Sequence, residues 1–201
     1  MTAQIDAPVT VGRVRTAWRG AHAPVAGVPR WARIAAYTVP LTVLPSGLWR
    51  IAGITFHLPI DINEGGHGSG DLPSWLPMEL YVVLLSVLSE LLAFTAIGLI
   101  ARWGEVFPRW IPGLGGRRVP TRAVVVTAAL GAAVLTVVWT VGFVALFAGV
   151  TVTGEPTPAD FPTQAGGWQA AIFYLCYLPL LLWGPLLAAV TFAYHRRRRN
   201  H

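Results

Sequence analysis

The sequence contains a single cysteine, no lysine and few charged residues of any kind. Only 12% of its 201 residues are charged, whereas 54% are hydrophobic and the mean hydropathy is +0.57. This composition excludes an ordinary soluble domain and indicates an integral membrane protein. The lone cysteine, Cys176, excludes an internal disulfide and any cysteine-rich redox or metal site. Its apolar surroundings favour a small buried side chain over a reactive thiol.

An apolar core of the kind found in secretory signals is missing from the N-terminal region. Residues 1–32 combine alanine, proline, glycine and threonine with several arginines and show no sustained periodicity. The pattern predicts a disordered tail, and we expect the first membrane span to be an uncleaved anchor.

Four long apolar stretches follow this tail. They predict an all-α polytopic membrane domain over residues 33–195, with four transmembrane helices in a small bundle and a basic tail at 196–201. The predicted spans are about 34–56, 78–101, 123–150 and 169–194. Pro40 and Pro45 in the first span, and Pro179 and Pro185 in the last, predict bends. The first span is then either a bent helix or a discontinuous helix that lines a binding site.

The distribution of arginine predicts the orientation. Loops 57–77 and 151–168 contain no arginine, whereas the N-terminal tail, the 102–122 loop and the C-terminus hold nearly all of them. The positive-inside rule therefore predicts a multi-pass protein of the plasma membrane with both termini in the cytoplasm.

The second predicted span carries a stripe of polar residues, which are energetically costly to place inside a membrane. Glu79, Ser86 and Glu90 are separated by seven and four residues, which places them on one face of a helix. Arg50 is the basic residue deep enough in the first span to meet them, and its depth favours Glu79 as the partner over Glu90. These four residues are the candidate ligand or ion pathway.

Arginine and tryptophan near the predicted cytoplasmic surface indicate lipid-interface anchors, in contact with anionic lipid at that face. The candidates are Trp103, Trp110, Arg117, Arg118, Arg196, Arg197, Arg198 and Arg199. Interleaved arginine and tryptophan also occur in nucleic-acid interfaces, but a short loop between two spans does not favour that function.

The loop WGEVFPRWIPGLGGRRVP, residues 103–120, resembles loops of uncharacterised multi-pass membrane proteins of actinobacteria. The resemblance covers mainly this loop and its flanking helices, and the absence of lysine fits such a source. It implies origin and membrane topology, and it carries no activity.

Three classes of function remain open. A small scaffold or accessory subunit, with a second copy or another membrane protein as partner, would use the polar stripe to hold helices together. Transport of an ion or small solute would use Glu90 as a mid-membrane carboxylate. A membrane enzyme is the least supported: no predicted span contains histidine for haem, and the acids and histidines of the 57–76 loop match no metal-ligand spacing. We expect no cofactor, no metal and no nucleic-acid partner.

Overall fold

A computed structural model describes residues 25, 27–56, 76–106, 116–159 and 161–199. These residues are helical and form no β-strand, which confirms the prediction of an all-α protein. The α-helices are α1 (Arg30–Arg50), α2 (Met78–Gly98), α3 (Thr121–Phe147), α4 (Pro162–Ala165), α5 (Gly167–Tyr177) and α6 (Trp183–Arg199). Shorter elements are a π-helix (Ile51–Thr55) and two 3₁₀ helices (Arg102–Gly104 and Leu178–Leu182).

Helix α1 continues through both of its prolines. Pro40 and Pro45 lie inside the helix, so the alternative of a discontinuous first span is not what forms. Nearby hydroxyl groups turn back onto the helix: Thr42 Oγ1 donates to Val39 O at 2.7 Å and Ser46 Oγ donates to Val43 O at 2.8 Å. Such bonds satisfy short polar side chains within an apolar environment. The backbone changes only after Arg50, where the π-helix begins.

Among the residues that the structure describes, three segments are long and apolar enough to cross a membrane: Met78–Gly98, Thr121–Phe147 and Gly167–Arg199. They correspond to the second, third and fourth predicted spans, and a membrane-embedded protein follows from their length and composition. The last segment consists of α5, the 3₁₀ helix at Leu178–Leu182 and α6, so its α-helix is interrupted at Pro179 as the sequence predicts. Helix α1 is not among the three, because the arginines near its ends lower its hydropathy, together with its prolines and hydroxyl residues.

The helices pack in a row. Helix α1 lies between α2 and the last segment, and α3 packs mainly against α6 and the adjoining 3₁₀ helix, with a ring contact to α5 between Phe147 and Tyr174. One apolar cluster joins Ala36, Ile97 and Tyr194, and a second joins Val39, Ala93 and Trp183. Both clusters tie α1 and α2 to α6. Helix α3 is therefore held from one side.

The contact between α3 and α6 depends on a glycine. A Cβ atom on Gly184 would lie 2.7 Å from Ala132 O, closer than side chains approach a backbone oxygen. Small residues at such crossings let two membrane helices come close enough for extensive packing. Gly184 thus sets the distance between these two helices.

Several predictions fall outside the described residues. They concern the N-terminal tail before residue 25, the polar loop at 57–75 and the anchor Trp110.

Candidate functional site

The predicted polar stripe meets α1 at Ser86. A Cβ atom on Gly47 would lie 3.6 Å from Ser86 Cβ, so α1 and α2 touch at this point. Ser86 is buried, and its Oγ has no hydrogen-bond partner in the described parts of the chain. The hydroxyl is therefore enclosed by packing and not presented to a channel.

The two carboxylates of α2 have different environments. Glu79 is exposed in the first turn of the helix, whereas Glu90 is half-buried, one turn beyond Ser86. Glu90 lies at the edge of the face that carries the buried Val82 and Ala93. Of the three residues of the predicted stripe, only Ser86 lies in the packed face of the helix.

Arg50 does not pair with either acid. It is half-buried at the end of α1, and its Nε atom is buried without a hydrogen-bond partner among the residues that the structure describes. No ion pair within those residues joins Arg50 to Glu79 or Glu90, so the expected Arg50–Glu79 pair does not form. Spacing along α2 gives the direction of its side chains, but not the rotation of α1 that would aim the guanidinium at them.

A pair of charged residues forms elsewhere, between the C-terminal helix and the loop that follows α2. Arg197 Nη2 lies 2.6 Å from Glu105 Oε1, and the two side chains are 7% and 19% exposed. The same nitrogen donates to Leu99 O at 3.3 Å. Arg197 therefore closes the end of α2 onto α6 through a largely buried pair.

Tyr194 and Arg198 extend this contact. The Arg197 guanidinium lies over the Tyr194 ring, 5.4 Å from its centroid, and the Tyr194 hydroxyl donates weakly to Gly104 O at 3.5 Å. Arg198 Nε donates to Thr121 Oγ1 at 3.1 Å, at the start of α3. The C-terminal turns of α6 are thus fastened to two other parts of the chain.

The predicted lipid anchors divide into groups. Arg117, Arg118, Arg196 and Arg199 are exposed, and Arg198 and Trp103 are half-buried. Arg197 faces protein instead of lipid, because its guanidinium is paired with the Glu105 carboxylate. The sequence contained one signal for this pair: Glu105 is the single acid in the arginine-rich loop at 102–122.

The described cavities lie away from the polar stripe. A groove of about 490 Å³ runs between α3 and α6, and a second cavity of about 310 Å³ lies beside Trp31 and Arg196. Neither is lined by Arg50, Glu79, Ser86 or Glu90. No group of three or more histidine, cysteine or acidic side chains that could hold a metal ion occurs within the described ranges.

No protein-family model matches the sequence, and no curated protein or solved structure is significantly similar to it.

Proposed function

We propose that the protein is a four-span protein of the cell membrane that acts as a scaffold or accessory subunit, with both termini in the cytoplasm. One observation carries the proposal: Ser86, the middle residue of the polar stripe, belongs to the packing between α1 and α2. Ser86 is buried against Gly47, and neither described cavity reaches Glu90. Polar groups used in this way hold helices together and do not form a pathway.

Helix α1 supplies the fourth span. Its 21 residues extend about 32 Å as a helix, enough to cross the hydrocarbon core. It also lies between α2 and the last segment, which are both apolar enough to be spans. A helix enclosed by membrane helices can carry hydroxyl groups and prolines that an isolated span would not favour.

The basic residues support the proposed orientation. Arg198 contacts Thr121, so the C-terminal arginines and the start of α3 lie at one end of the helices. Glu155 follows the other end of α3, in a segment without arginine. By the positive-inside rule, the end with the arginines faces the cytoplasm.

An accessory role is supported by the position of α3. Of its most apolar 18-residue window, 6% is buried, compared with 28% for each of the other two apolar segments. The side of α3 that faces away from α6, which carries the exposed Val134 and Val138, is thus free to contact lipid or another membrane protein. Exposed apolar surface of this kind marks contact with a membrane or with a partner protein.

A transport function remains the second candidate, since the π-helix at Ile51–Thr55 begins directly after Arg50. π-Helical turns are rare in proteins, and those that occur often lie at functional sites. The buried Nε of Arg50, without a partner in the part of the chain that is described, is the second unusual feature of this position.

Liposome flux measurements separate the two functions. Purified protein is reconstituted and proton and cation flux are measured for the wild type, Glu90→Gln and Arg50→Gln. A scaffold gives background flux for all three proteins. Wild-type flux above that of empty liposomes that either substitution abolishes would refute the scaffold and establish transport.

Photo-crosslinking tests the accessory role directly. A photoreactive amino acid at Val134, on the exposed side of α3, is compared with one at Val39, which is fully buried. In native membranes we expect a discrete protein adduct from Val134 and none from Val39. Lipid adducts alone at Val134 would contradict a partner on this helix.

A further inference from the structure

The groove between α3 and α6 is formed by small side chains. Ala129 and Ala133 lie on the α3 side and Ala188 on the α6 side, with Phe192 and His195 toward the C-terminal end. All three alanines are exposed, so the groove is open to the surroundings along its length. Its volume is about 490 Å³.

The length of the groove corresponds to one leaflet. Its lining on α3 extends from Val125 to Val137, a rise of about 18 Å along the helix. Half of the hydrocarbon core of a bilayer is about 15 Å thick. A chain entering at one end would therefore run in the groove to about the bilayer midplane.

Basic residues continue both walls of the groove beyond the end at which Val125 and His195 lie. Arg122 precedes Ala129 by seven residues and Arg199 follows Phe192 by seven, so each lies on the groove side of its own helix. Both arginines are exposed. Arg198, bonded to Thr121, keeps these two helix ends together.

We propose that this groove binds one acyl chain of an anionic phospholipid, whose phosphate lies between Arg122 and Arg199. The apolar walls match the chain and the two guanidinium groups match the headgroup, since arginine recognises phosphate with paired donors. A second copy of the protein is a poorer occupant, because it would bring its own arginines to the same level. The proposal does not depend on the proposed function, only on the chain lying in a bilayer.

Native mass spectrometry of the full chain tests this site. Phosphatidylglycerol and phosphatidylcholine with identical acyl chains are titrated onto detergent-purified protein, and the first bound lipid is quantified. Ala133→Phe fills the groove from an exposed position, and Ala171→Phe is the matched control at an exposed alanine of α5 outside the groove. Arg122→Gln and Arg199→Gln remove the headgroup contacts.

We expect the wild type to bind phosphatidylglycerol in preference to phosphatidylcholine. Each arginine substitution should weaken the first phosphatidylglycerol by about five-fold, the effect of one basic residue at a lipid surface. Ala133→Phe should weaken it at least as much, and Ala171→Phe should leave it unchanged.

Three results would overturn the proposal. Equal binding of the two lipids would show that the headgroup is not recognised. Equal affinity of Ala133→Phe and Ala171→Phe for the first phosphatidylglycerol would show that the acyl chain does not bind in the groove. A dimeric mass for the wild type that Ala133→Phe converts to a monomer would assign the groove to a second copy of the chain.

Discussion

Arg50 and Arg197 occupy comparable positions near the ends of two neighbouring helices, but their surroundings differ. Arg197 meets Glu105 at 2.6 Å and also binds a backbone carbonyl. Arg50 has a buried Nε with no partner in the described residues, although two carboxylates lie on the adjacent helix.

The difference between the two arginines shows which acidic residues can serve as a counter-ion to a helix. Glu105 lies in the loop that leaves α2, and a short loop can adjust its backbone until the carboxylate reaches the arginine. Glu79 and Glu90 are fixed by the helical rise and rotation of α2, so they reach only what the helix orientation allows. A pairing between rigid helices thus needs both the right depth and the right rotation.

The largest predicted effect is at the formed pair. Arg197→Met should lower the free energy of unfolding by about 3 kcal/mol, because removing one member of a buried pair leaves the other charge uncompensated. The measurement is a denaturation titration in mixed micelles.

Arg199→Met is the control on the same helical end, and it should change stability by less than about 0.5 kcal/mol because Arg199 is exposed. The double variant Arg197→Met with Glu105→Leu should recover part of the loss. Equal losses for Arg197→Met and Arg199→Met would show that the pair contributes nothing, and the contrast with Arg50 would disappear.

A smaller effect is expected where α1 and α2 touch. Ser86→Leu should reduce stability by about 2 kcal/mol, because the larger side chain collides with α1 at Gly47. Ser86→Ala keeps the shape and removes a hydroxyl without a described partner, so it should be nearly neutral. A loss with Ser86→Ala as large as with Ser86→Leu would mean that the hydroxyl binds something essential.

Much of the fold followed from composition and periodicity. Long apolar stretches define membrane helices because the bilayer sets their length, and three of the four predicted spans appear as helices of sufficient length and hydropathy. The change to a 3₁₀ helix at Leu178–Leu182 lies where Pro179 predicts a bend, whereas Pro40, Pro45 and Pro185 lie inside α-helices.

The arrangement of the helices could not be predicted in the same way. Nothing in the spacing of α3 shows that it packs mainly on α6, because a helix that is apolar all round gives no preferred face. The Arg197–Glu105 pair was missed for a related reason. Four consecutive arginines cover the whole circumference of a helix, and only the fold decides which one points inward.

Arg50→Leu should increase stability, whereas the substitutions Arg197→Met and Ser86→Leu should decrease it. An arginine inside a membrane segment is costly unless it is paired, so its replacement should raise stability by about 1 kcal/mol. The same micelle titration measures it, with Arg33→Leu near the other end of α1 as the control. Destabilisation by Arg50→Leu similar to that expected for Arg197→Met would show that Arg50 has a partner, and the two arginines would be alike.

The smallest predicted changes in stability are those of the two acids of α2. Glu79→Gln should change stability by less than about 0.5 kcal/mol, because Glu79 is exposed and has no described ion pair. Glu90→Gln keeps the shape of a half-buried side chain and should be equally mild if Glu90 only fills space beside Ser86. A stability that depends on pH in the wild type and in Glu79→Gln, but not in Glu90→Gln, would instead mean that Glu90 ionises within the packed face. Since an uncompensated charge there opposes packing, such a result would make the α1–α2 contact sensitive to pH.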